Sequence, residues 1–228
     1  MIFIYADEGT SSDSVAALEQ YFSSRFSTRC VTANDLQDRH WIQSTRLLVM
    51  PGGRSLPFYT SLGEKGNQHI IDFVSQGGCY VGLCAGAYYA AQKTLFALGS
   101  PLELRLDGPL NFFKGSAIGP VFAANHFAYQ SELGARVVLV QYQEKSYPVY
   151  FNGGCYFELN AMRDNAAVLA TYADNQLPAI IQCRVGMGKV ILSGVHPELS
   201  LNGTANAPQT ADEMMRAALW DRVLHHVC

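Results

Sequence analysis

The chain has 228 residues, 49% of them apolar and 15% charged, with a net charge of −3; this describes a soluble globular protein and excludes a basic surface for a nucleic-acid backbone. Its six cysteines, Cys30, Cys79, Cys84, Cys155, Cys183 and Cys228, are scattered with none in a Cys-x-x-Cys pair, so no metal site, no cofactor and no disulfide framework are expected. The opening Met1-Ile2-Phe3-Ile4-Tyr5-Ala6 lacks a charged leader and is too short an apolar run for a signal peptide or a span, so no membrane partner is expected and a cytoplasmic home is inferred.

Ile2 to Ala6 reads as a strand buried on both faces, ending at Asp7-Glu8-Gly9. Ser11, Ser12 and Asp13 can cap a helix in which Val15, Leu18, Tyr21 and Phe22 recur at helical spacing. Arg29 to Thr32 reads as a short strand, and Asn34-Asp35-Leu36 starts a brief helix or turn. Leu47 to Met50 is the next buried strand, and it breaks at Pro51-Gly52-Gly53, a loop whose bare backbone N–H groups can face a ligand. Ile70 to Val74 belongs to a helix leading into Gly77-Gly78. The short apolar run Cys79 to Leu83 then passes without a spacer into the alanine-rich Ala85 to Gln92, predicting strand, sharp turn and helix. Cys84 is the tip of that turn, and Gly82 and Gly86, two before and two after, leave room where a Cβ would clash. A thiol held so at a strand end is a candidate nucleophile.

From Phe96 to Tyr129 no clean period appears, and the stretch is expected to be an irregular lid or insert; His126, among aromatic residues, reads as packed rather than catalytic. Strand-like runs follow at Ala135 to Tyr142, Pro148 to Phe151, Val168 to Tyr172, Ala179 to Arg184 and Lys189 to Ser193, the last two joined by Gly186-Met187-Gly188 as an antiparallel hairpin. Asp212 to Val227 closes the chain as an amphipathic helix, and the sequon Asn202-Gly203-Thr204 is read as chance. The fold class is therefore α/β: a single domain over residues 1–228 with a doubly wound, flavodoxin-like, mostly parallel sheet, helices on both faces and an antiparallel hairpin near the carboxyl-terminal end.

The last strand runs into His196-Pro197-Glu198. Proline biases His196 toward extended backbone, so His196 and Glu198 project to the same side, the parts of a general base and the carboxylate that orients it. Gly-x-Cys-x-Gly at a strand–helix turn with His-Pro-Glu at a later strand end resembles the class I glutamine amidotransferase-like superfamily. Pro51-Gly52-Gly53, Gly66-Asn67, Gly82 to Tyr89, Gly119-Pro120-Val121-Phe122, Gly134-Ala135-Arg136 and Tyr150-Phe151-Asn152-Gly153-Gly154 together resemble the amino-terminal domain of eukaryotic biotin-protein ligases. The resemblance implies Cys84, His196 and Glu198 as a triad and the backbone N–H groups of Gly53 and Ala85 as oxyanion donors. It places Gly52, Tyr88 and Asn152 as residues lining the site.

The departures are informative. Tyr88 stands where true glutaminases of the superfamily carry a glutamine, which argues against glutaminase activity. The chain contains neither a Gly-Arg-Gly-Arg-type loop nor the length of a ligase catalytic domain, so it is not expected to biotinylate by itself. Two functions are carried forward: a cysteine-dependent hydrolase or acyl transferase acting on a small-molecule or peptide amide, and a non-catalytic binding or regulatory module keeping the same fold. A protein partner or a homodimer is left open. Asp7 and Glu8 are candidate acids beside Cys84 in a third, redox or glyoxalase-like reading.

Overall fold

A computed structural model describes residues 1–122, 127–129, 131–159, 165–201 and 210–227. His126, Cys228 and the Asn202-Gly203-Thr204 sequon lie outside the described residues. A nine-stranded sheet forms the body. Its parallel half consists of β1 (Ile2–Tyr5), β2 (Thr28–Val31), β3 (Leu47–Met50), β4 (Cys79–Leu83) and β13 (Gly188–Ser193), in the order β2-β1-β3-β4-β13. Alternation along these strands divides the core. Ile2, Ile4, Leu47, Val49, Val81 and Leu83 face α1 (Ser12–Ser23) and α5 (Thr210–Leu224), while Phe3, Tyr5, Leu48, Met50 and Tyr80 face α3 (Leu56–Ser75). Both faces are covered, so β1, β3 and β4 are buried at every residue, while β2 at the sheet edge leaves Arg29 exposed.

Local signals account for the elements. Ser11 caps α1 by accepting from Ser14 N, and Thr32 with Asp35 forms a capping box on α2 (Ala33–Gln37). The helix before Gly77 is much longer than the Ile70 to Val74 pattern suggested: it runs from Leu56, with Gly63 at φ 58° breaking its middle, and that break interrupts the period. The hairpin predicted around Gly186 is present, with β12 (Pro178–Val185) pairing antiparallel to β13. Beyond β12 the antiparallel part extends through β11 (Ala166–Tyr172), β8 (Arg136–Tyr142) and β9 (Lys145–Phe151).

Two expectations are corrected. The helix after Cys84, α4, covers only Ala85–Ala90; Ala91 and Gln92 already belong to β5 (Ala91–Phe96). The Phe96 to Tyr129 stretch is in part regular: β6 (Leu104–Asp107) and β7 (Phe113–Gly119) join β5 and β10 (Tyr156–Glu158) in a second sheet of four strands. Phe96, Phe113, Ala117 and Phe157 of this sheet share one buried cluster with Tyr80 and Met50 of the parallel half and Phe73 of α3. The second sheet thereby stands over the carboxyl ends of β3 and β4, where it walls a cavity.

Candidate active site

The sharp turn predicted after β4 is present, and its tip is strained. Cys84 has φ 46° and ψ −100°, a conformation that costs a non-glycine residue roughly 1–3 kcal/mol and persists only when its surroundings enforce it. Enforcement comes from the Cys84 N–H, which donates to Ser193 O at 2.8 Å, and from Tyr88 N, which donates to Cys84 O at 2.9 Å. A Cβ on Gly82 would lie 2.5 Å from Gly86 O, and one on Gly86 would strike the backbone of Met50. The two glycines are therefore required by close approach of β3, β4 and α4.

After β13 the chain carries His196 beside this turn. His196 N donates to Tyr150 O at 2.9 Å, which fixes the backbone; its ring stands edge-on to Tyr150 at 5.7 Å. The side chains of His196 and Glu198 are 6% and 0% exposed, and Nδ1 of the imidazole is 2.8 Å from Glu198 Oε1. The Cys84 sulfur lies near enough to the imidazole to act on its charge. Burial alone would lower the His196 pKa, but Glu198 and Cys84 together overcome it and push it up to about 10. The arrangement therefore holds the imidazole protonated against a carboxylate, with a sulfur on its other side.

A cavity of about 520 Å³ opens over Cys84. Gly53 and Ala85 line it, and among the described residues neither backbone N–H donates to a protein acceptor. Tyr88 lines it too; burial raises its pKa well above the phenol value and its hydroxyl donates to Gly153 O at 3.1 Å. Asn152 is at the site by its backbone, whose carbonyl lies 3.8 Å from the Cys84 sulfur, while its Nδ2 donates to Ser131 O at 2.9 Å. Gly52 is not in the wall but behind it: a Cβ there would fall on His196 Cε1. Glu8 lines the cavity, whereas Asp7 is spent on structure, its carboxylate accepting from Ala33 N and Glu8 N at 2.8 and 2.7 Å.

The residues that sequence reading missed come from distant elements. Ser14, fully buried in α1, donates to Glu198 Oε1 at 2.7 Å and accepts from Gly52 N at 3.3 Å. Its signal was present, since it occupies the same buried stripe as Leu18 and Phe22 although it is polar. Phe96, Phe127 and Tyr129 form a ring-lined wall, with centroids 5.2 to 6.0 Å apart, and the guanidinium of Arg54 lies 4.8 Å over Tyr129. No periodicity links those residues in the chain, so only the fold assembles them.

A family model described as biotin-protein ligase, N terminal, matches residues 1–224. The chain is 38% identical over 209 residues to a biotin–protein ligase of Schizosaccharomyces pombe, covering 87% of this chain and 32% of that protein. It is 39% identical over 167 residues to an uncharacterized protein of Chlamydia muridarum, covering 69% of this chain and 62% of that one. The chain thus spans less than two thirds of either relative. A crystal structure of a glutamine amidotransferase superposes with a TM-score of 0.66 at 18% identity, covering 98% and 97% of the two chains, which shows the shared fold.

Proposed function

This chain belongs to the biotin-protein ligase N-terminal family and has an amidotransferase-like fold, and from that premise we propose that it is a cysteine-dependent hydrolase or acyl transferase acting on an amide-type bond. The observation that carries the reading is a buried imidazole tied to Glu198 and lining the same cavity as a strained Cys84. The sulfur of Cys84 attacks the substrate carbonyl carbon, and the carbonyl electron pair moves onto oxygen, where the Gly53 and Ala85 N–H groups stabilise it. As the oxyanion collapses, the C–N bond breaks, and the His196 imidazolium gives its proton to the departing amine. A thioester remains on Cys84. Water or a second nucleophile then attacks it, losing its proton to the imidazole, and the sulfur leaves as thiolate. Glu198 keeps the imidazole in the orientation and tautomer that both steps need.

The free thiols of Cys30, Cys79, Cys84, Cys155 and Cys183 are in keeping with a reducing, cytoplasmic compartment, in which a reactive sulfur stays reduced. The test needs no substrate: iodoacetamide at pH 6.5, followed by peptide mass spectrometry. Cys84 should be alkylated roughly tenfold or more faster than free cysteine, because a neighbouring imidazole that takes up the thiol proton makes the sulfur the stronger nucleophile, and His196→Ala should abolish the advantage. A second reading, a binding module without turnover, is favoured by one observation, the Tyr88 ring fixed in the cavity wall by its bond to Gly153. Reactivity of Cys84 no greater than that of free cysteine would leave that reading in possession.

A further inference from the structure

We propose that Ser14 is a positioning residue that couples the acid of the site to the loop carrying its oxyanion donor. The inference rests on the reading of Cys84 as a nucleophile. The Ser14 side chain reaches between two groups that are far apart in sequence: it donates to Glu198 Oε1 at 2.7 Å and receives the Gly52 N–H at 3.3 Å. The side chains of Ser14 and Glu198 are both fully buried, so water does not substitute for either bond at no cost.

One hydroxyl has one proton to give, and here it is committed to the carboxylate; its lone pair then faces the Gly52 N–H. The direction of both bonds is thus fixed, because the Gly52 N–H can only donate and the hydroxyl proton is left for Glu198. Gly52 in turn cannot shift independently, because its Cα rests against the imidazole that the same carboxylate holds, with no room for a Cβ between them. Gly53, the next residue, lines the cavity, and its N–H is the oxyanion donor of the proposed reaction. The backbone around this pair is pinned from the other side as well: Ser11 N donates to Gly52 O at 2.8 Å and Arg54 N donates to Gly9 O at 2.7 Å. The amino-terminal turn of α1 is therefore the part that registers the Pro-Gly-Gly loop against the His196–Glu198 pair, and Ser14 is its one side chain in contact with both.

A residue with this role affects steps that need the oxyanion donor more than steps that need only the sulfur. Iodoacetamide alkylation displaces iodide at carbon and develops no oxyanion; acylation by p-nitrophenyl acetate does. In Ser14→Ala the ratio of acylation rate to alkylation rate at Cys84 should fall about tenfold, as a small misplacement of a donor produces. Ser14→Thr, which keeps the hydroxyl, should retain a ratio near wild type. In a Glu198→Gln background, Ser14→Ala should change the ratio by less than twofold, since the carboxylate through which it acts is gone.

An equal fall in both rates, or a Ser14→Ala effect undiminished by Glu198→Gln, would overturn the proposal and leave Ser14 a packing residue. If Ser14→Ala does not fold, amide hydrogen exchange in the wild type decides: a Gly52 N–H that exchanges as fast as an open loop refutes the bond, and one protected with the core supports it. Wild-type Cys84 that alkylates no faster than free cysteine is a different failure, that of the nucleophile itself.

Discussion

Glu198 carries its hydrogen bonds on one oxygen: Oε1 meets both His196 and Ser14, while among the described residues Oε2 is buried without a partner. A buried carboxylate in that state depends on its cation, so the pair is best broken by removing one charge. For His196 the folded pKa is raised, to about 10, so its stabilising contribution is complete below the unfolded value near 6.5 and is lost as pH rises through about 10. Melting temperature of the wild type should therefore decline between pH 7 and pH 10. In Glu198→Gln it should start lower at pH 7 and change less with pH, so the two curves converge; parallel curves would show that the pair does not titrate in this window. His196 and Glu198 were legible in the sequence because a proline fixes the local backbone and their two-residue spacing fixes the side. Ser14 was not, because its partner lies 184 residues away and hydroxyl residues near a helix start are ordinarily caps.

At the scale of the element, the strand–turn–helix around Cys84 and the Pro-Gly-Gly loop differ in what an added methyl would strike. On Gly82 it would meet the rigid backbone at Gly86, so Gly82→Ala should cost about 2 kcal/mol or more in urea unfolding. On Gly52 it would meet only the imidazole edge, so Gly52→Ala should stay folded and lose the selective alkylation of Cys84 by turning His196 away. The opposite pattern, a reactive Gly52→Ala, would mean the imidazole does not govern the thiol. These elements could be read because glycines flank them at fixed offsets. The second sheet could not. β7 alternates strictly between buried and half-buried residues, but its buried positions include Gly115, Ala117 and Gly119, which carry too little apolar surface to show the period. They are small for a reason: Gly115 abuts the carbonyl of Glu158 and Gly119 abuts the Tyr88 hydroxyl. For the same reason α4 was overextended, since Ala90-Ala91 favours helix locally while pairing with Phe113 draws Ala91 into β5.

Across the whole molecule, the parallel half-sheet and the four-stranded sheet share a single buried cluster, so they should unfold together, with near-ultraviolet circular dichroism and Trp fluorescence reporting one coincident urea transition. On the other face α5 closes the core through Leu219, Trp220 and Val223, and Trp220 meets Tyr21 and Phe22 of α1 at 5.8 and 6.4 Å. Trp220→Ala should cost about 3–5 kcal/mol by the cavity it leaves, without changing the relative alkylation rate of Cys84 in the protein that remains folded. The doubly wound half was legible because its central strands β1, β3 and β4 are short, fully buried runs of largely apolar residues. The way the two sheets meet was not, since it depends on contacts between chain segments that share no local pattern.

That meeting is made largely of bare backbone. Gly82, Gly86, Gly119, Gly154 and Gly194 each abut a carbonyl or a fixed hydroxyl with no space for a further carbon, whereas the rings of Phe96, Phe127 and Tyr129 pack on one another and line the void. A saturation library scored for folded protein would accordingly return glycine alone along the first margin, where backbone is the obstacle, and tolerate exchange among aromatic residues along the second, where side chains meet side chains. Variation would collect on one bank of the cleft and be barred from the other, so descendants of this chain would inherit the thiol and its partners intact while the shape of what they admit drifts.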